Sequence, residues 1–123
     1  MQLPQNFDIL IEEATQQKLY KNLIKQLNKD FLLANVPLEF NETVLPSSLK
    51  LILHETVFKL IQEKFADYLN LLYTADVSEK EVKALNGTDI LKLSEDVSFL
   101  ILKREWQKVW LKNKYKLIRI NLS

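Results

Sequence analysis

One glycine and three prolines among 123 residues leave this chain few ways to build anything but helices. Hairpins and bulges draw on residues that accept φ > 0 or arrive with φ already fixed. A β-rich domain would need such residues at every turn. The sequence therefore predicts an all-α fold: a bundle of three long helices plus one short helix, forming a single helical domain over residues 1–123. With 47% apolar and 27% charged residues the chain has the balance of an ordinary globular domain. A domain of this size buries roughly two thirds of the surface its unfolded chain exposes.

Apolar residues recur at helical spacing. Asn6 or Asp8 can cap a first helix reaching about Ala34, with Leu19/Tyr20, Leu23/Ile24, Leu27 and Phe31 on one stripe and a kink near Ala14–Gln17. Pro37 and Pro46 bound an extended connector, in which Val36, Leu38 and Phe40 alternate like a short edge strand. Ser47 or Ser48 opens a second helix to about Tyr73. Its apolar arc is wide enough to predict the central position in the bundle. Ser78 and Glu81 match a capping box for the short helix, and Gly87 suits its left-handed C-terminal cap. Thr88 or Asp89 then starts a last helix to about Tyr115. Ile118, Ile120 and Leu122 alternate with polar residues, a weak strand signal that could pair the tail with the connector in a minor two-stranded arrangement.

That last helix carries the most uneven charge. KREWQKVWLKNKYKLIR, Lys103 to Arg119, contains seven basic residues and one acid, a net +6 within a chain of net +1, so the remainder is at −5. On a wheel of 3.6 residues per turn the helix has two apolar faces. Phe99, Leu102, Trp106, Val109, Trp110 and Leu117 form one, and Val97, Leu100, Leu111, Tyr115 and Ile118, with Arg104 among them, form the other. One face suffices for the chain's own core, so the second is expected to meet the short helix, the connector or another subunit. Val97, Leu100, Arg104, Leu111 and Tyr115 are the interface candidates. Lys103, Lys108, Lys112, Lys114, Lys116 and Arg119 are the candidates for an alternative role, binding nucleic acid or an anionic surface. The wheel separates them from the indoles, whereas a base-binding platform interleaves the two. They read as solvated, with Glu105 beside them.

Chemistry finds little to use. Without cysteine there are no disulfides, thiolate metal sites or cysteine nucleophiles. His54 is the single histidine, set among Ile61, Phe65 and Leu72, and reads as a core or boundary imidazole rather than a general base. One histidine cannot furnish a di-iron site. The acids lack the cadence of a calcium loop, and lone Gly87 rules out phosphate-cradling glycine loops. The turn through Asn86-Gly87 resembles a helix-turn-helix only in outline, since the helix after it begins with Asp89, Glu95 and Asp96, which phosphates would repel. Arg104, half buried by its neighbours, is expected to seek Glu55, Glu63 or Asp67.

The N-terminal stretch has no basic n-region of a signal peptide, and apolar runs such as Phe99–Leu102 are too short to span a bilayer. The expectation is a cytoplasmic, non-enzymatic protein–protein interaction or homo-oligomerisation module that uses no cofactor or metal. Its partner is itself or another protein.

Overall fold

The computed structural model describes residues 2–122, with side chains as far as Arg119. The fold is all-α, with no strand among the described residues. Its helices run α1 (Phe7–Gln16), α2 (Tyr20–Leu33), α3 (Pro46–Glu63), α4 (Phe65–Ala75), α5 (Glu79–Lys83) and α6 (Ile90–Leu122). The predicted first helix is thus two, as is the second, broken at Lys64 with neither glycine nor proline to mark it.

Three helices end in the same way, and none uses glycine. After α1, Lys18 sits at φ 58° and Leu19 N–H donates to Ala14 C=O. After α2, Asn35 sits at φ 59° and Val36 N–H donates to Phe31 C=O. After α4, Asp76 sits at φ 62° and Val77 N–H donates to Leu72 C=O. Each is a Schellman cap with a left-handed residue followed by a buried hydrophobe, Leu19, Val36 or Val77. Gly87, expected in that role, has no positive φ. Asn and Asp tolerate the left-handed region, whereas lysine carries its Cβ there at a cost. Lys18 is exposed. Lys18→Gly is therefore expected to raise the unfolding free energy by about 1 kcal/mol, read as an upward shift in thermal midpoint.

The connector after α2 is not a strand: it turns tightly at Pro37, where Leu38 N–H donates to Val36 C=O, and again at Asn41–Val44, and a side chain holds it to α2. Asn28 on α2 donates from Nδ2 to Phe40 C=O and accepts Phe40 N–H at Oδ1, both at 2.8 Å. The amide supplies what a neighbouring strand would have offered, while Val36 and Phe40 turn into the core. Tyr20 Oη–H donates to Val44 C=O at 2.6 Å and fastens the connector's far end. The predicted pairing with the tail does not occur, because residues 116–122 continue α6.

The centre of the fold is α6, not the second predicted helix. It packs against α1, α2, α3, α4 and α5. Val97, Ile101 and Trp106 are fully enclosed, and Leu102 nearly so. Ser94 and Ser98 are buried there too, each hydroxyl donating to the carbonyl four residues back, so neither leaves a polar group unpaired. At 33 residues α6 is roughly 50 Å long, and its last third extends past its packing partners. From Leu111 to Arg119 only Asn113 is even half covered.

Candidate interaction surface

Leu93, Val97, Leu100, Arg104, Leu111, Tyr115 and Ile118 fall within roughly 60° of one another around α6, counting 100° per residue. The first part of this line is covered by the chain itself. Val97 is fully buried and Leu100 nearly so, which withdraws both from the interface candidates. Arg104 is held by Asp76 at the end of α4: Nη2 meets Oδ2 at 2.6 Å, Nε donates to the Asp76 carbonyl, and Nη1 donates to Gln107 Oε1. The guanidinium keeps the Asp76 carboxyl below its ordinary range. Asp76 thus takes the place expected of Glu55, Glu63 or Asp67, because the left-handed cap carries it over α6. Lys103 reaches Glu81 of α5 at 3.3 Å. Glu81 N–H in turn caps on the Ser78 hydroxyl, as predicted.

Past Arg104 the line is bare. Leu111, Tyr115 and Ile118 are 47%, 64% and 46% exposed. At the opposite end, Leu93 helps to line an apolar groove of about 850 Å³ with Phe65, Leu69 and Leu72 of α4, Val77 of the turn after it and Val82 of α5. Phe65, Leu69 and Tyr73, four residues apart along α4, are exposed there. Asp76 and Glu79 stand at the groove, with Lys83.

The six basic candidates divide. Lys103, Lys108 and Lys112 are engaged within the chain, whereas Lys114, Lys116 and Arg119 have no carboxylate at ion-pair distance among the described residues. Lys114 lies over the Trp110 ring at 4.9 Å and Arg119 over Tyr115 at 6.0 Å. Trp106 is buried, as its stripe predicts, and its indole N–H donates to Glu13 Oε2 of α1 at 3.2 Å.

Lys108 leads to the feature that the sequence reading missed. Its ammonium lies 2.6 Å from Asp30 Oδ2 on α2 and 2.9 Å from Glu105 Oε1. Asp30 is nearly buried and Glu105 entirely so. Gln26 donates to Asp30 and accepts from Lys112, closing a polar chain between α2 and α6. Two carboxyl groups share one ammonium in a dry setting. Burial, followed by the adjoining Asp30 carboxyl, pushes Glu105 up to about 9, against the pull of Lys108. Burial also raises Asp30, but the adjoining Glu105, Lys108 and Gln26 outweigh it and leave that group below its ordinary value. Burial thus favours the neutral form of Glu105 at neutral pH, and Lys108 balances the charge of Asp30. Lys108 is at ion-pair distance from Glu105, but neither Glu105 oxygen has a hydrogen-bond partner, which adds to the cost of its charge in this buried setting.

His54 is half buried, and its imidazole is held below its usual value by burial, with Lys50 adding to the effect and Glu95 opposing it. No three carboxylate or imidazole groups cluster as metal ligands among the described residues. No described helix is long and apolar enough to cross a membrane. The chain matches no protein-family model, and no curated protein or solved structure is similar to it.

Proposed function

We propose that this protein is a non-catalytic interaction module that associates with a second copy of itself. The observation that carries the reading is the single line along α6, with an unfilled apolar groove at Leu93 and a bare apolar stripe at Leu111, Tyr115 and Ile118. Groove and stripe face the same side, about 27 Å apart along the helix. A two-fold axis between them lays each stripe in the other copy's groove, twice over. Lys114 and Arg119 flank the stripe, while at the groove Asp76 is already paired with Arg104 and Glu79 with Lys83, so apolar burial rather than charge carries the contact. Packing stripe on stripe instead would set Lys114 against its own copy. A catalytic reading gains no support from Glu105, which is sealed from any substrate. A cytoplasmic location accompanies the proposal, in a chain with no cysteine to oxidise.

Light scattering on the native chain is expected to give the mass of a dimer. Leu111→Asp/Ile118→Asp and, separately, Leu69→Asp/Tyr73→Asp are each expected to give a monomer with unchanged helical circular dichroism, because all four positions are exposed. A native chain that stays monomeric at millimolar concentration sinks the proposal. So does a dimer indifferent to both double substitutions.

A further inference from the structure

We infer that the cleft between α2 and the C-terminal part of α6 binds a compact polyphosphate. It lies on the side of α6 away from the apolar stripe and does not depend on the self-association reading. Lys25 and Lys29 of α2 face Lys112 and Lys116 of α6 across about 330 Å³, and no carboxylate lines the space. Four lysines line one small concavity, and their like charges repel one another, which a folded chain supports more readily when an anion fills the space. Their internal compensation is slight. Lys25 reaches Glu42 only at 3.7 Å, with both side chains largely exposed. Lys112 bonds to the neutral amide of Gln26 at 3.0 Å. Lys29 and Lys116 have no acidic partner among the described residues.

The rest of the lining narrows the ligand. Asn22 and Asn113 add neutral donors, and Leu19 and Val109 form the apolar part. Gln26 is fixed by Lys112 on one side and Asp30 on the other, so the wall is anchored to the buried polar chain. No aromatic ring lines the cleft, leaving a nucleic-acid base nothing to stack on. A membrane surface would need cations and apolar residues presented outward together. The cleft's cations lie between α2 and α6, with Lys112 drawn to Gln26 of α2, on the side of α6 away from Leu111, Tyr115 and Ile118. What the cleft can recognise is dense negative charge of small size, two or three linked phosphates, met by lysines acting as adjustable point charges.

The experiment is calorimetric titration of the full chain with sodium tripolyphosphate and with monophosphate. A twelve-nucleotide single strand and phosphatidylserine vesicles serve as alternative anions. The expected result is saturable binding of tripolyphosphate, stronger than of monophosphate, that weakens at least about tenfold in Lys29→Ala/Lys116→Ala and changes little in the distant pair Lys59→Ala/Lys80→Ala. Equal losses in the two double variants would reduce the effect to net charge and overturn the inference. So would oligonucleotide or vesicle binding that outcompetes tripolyphosphate, or the absence of any binding at low salt.

Discussion

The native chain is expected to lose stability steadily as the pH rises from 6.5 to 9, and Glu105→Gln is expected to abolish that loss. The cause is the buried carboxyl of Glu105, held at about 9 in the folded state against an ordinary value of 4.5. Between those values the folded chain retains a proton that the unfolded chain has released. Unfolding therefore releases a proton, and stability falls with rising pH, by up to about 1.4 kcal/mol per unit. Asp30 has the opposite sign: its value is depressed, so its contribution is complete above 3.8 and fades as pH falls through its folded value. His54, also depressed, likewise weakens the fold only below its ordinary 6.5. The window above 6.5 thus isolates Glu105 from both.

Glutamine has nearly the shape of the carboxyl group and no proton to lose. Denaturant melts at pH 6.5, 7.5 and 8.5 should show parallel stabilities for the variant and declining ones for the native chain. The variant should be the more stable of the two at pH 8.5. A native chain with level stability across that range, or a variant weaker at pH 8.5, would mean that Glu105 is ionised inside the fold.

The all-helical architecture was legible in the near absence of glycine and proline and in the stripes through Leu23, Leu27 and Phe31. The helix ends were less so. A left-handed cap on Lys18, Asn35 or Asp76 leaves no glycine to read, and its companion signal, an apolar residue just after it, is indistinguishable from one more position of the stripe. The connector's alternation at Val36, Leu38 and Phe40 was a true sign that Val36 and Phe40 turn inward, but a tight turn at Pro37 interrupts the backbone between them. Only a distant side chain, Asn28, could show that no strand completes it.

The tail shows the converse error. Alternation at Ile118 and Ile120 imitates a strand, but helix already running through Lys116 continues at the cost of one residue's ordering per added hydrogen bond, with no new nucleus. At the site, the division of α6 into two apolar faces was visible; the chain's own elements cover the second face at Val97 and Leu100 and leave Leu111 and Tyr115 exposed. Glu105 was hidden by its neighbours. Among seven basic residues a lone acid looks like surface charge, and the wheel places it beside Lys108 and Lys112. The available sign was its apolar setting: Ile101 and Leu102 precede it at helical spacing, Val109 follows, and all three are buried. Lysines on that side follow their acceptors inward, their aliphatic stems covering the core edge.

Trp106→Ala is expected to remove about 3–5 kcal/mol, a large share of the roughly 5–15 kcal/mol that holds a domain together. Trp106 is the largest fully enclosed side chain, and it sits on the helix against which every other helix packs. Truncation leaves a void bordered by α6 and by α1, where Glu13 receives the indole N–H. Helices α1 and α6 are far apart in sequence, so the loss falls on a contact that no local hydrogen bond replaces. Trp106→Phe separates the two contributions. It retains most of the apolar volume and drops only the bond to Glu13, a half-exposed carboxylate that water can serve, so the expected loss is about 1 kcal/mol. The same variant leaves Trp110 as the sole indole, packed beneath Lys114 at the edge of the core. Acrylamide should quench its emission readily, while in Trp110→Phe the remaining Trp106 emission should be blue-shifted and protected. Comparable quenching of both single-tryptophan chains would place the Trp106 indole at the surface, and with it the face of α6 that these results assign to the core.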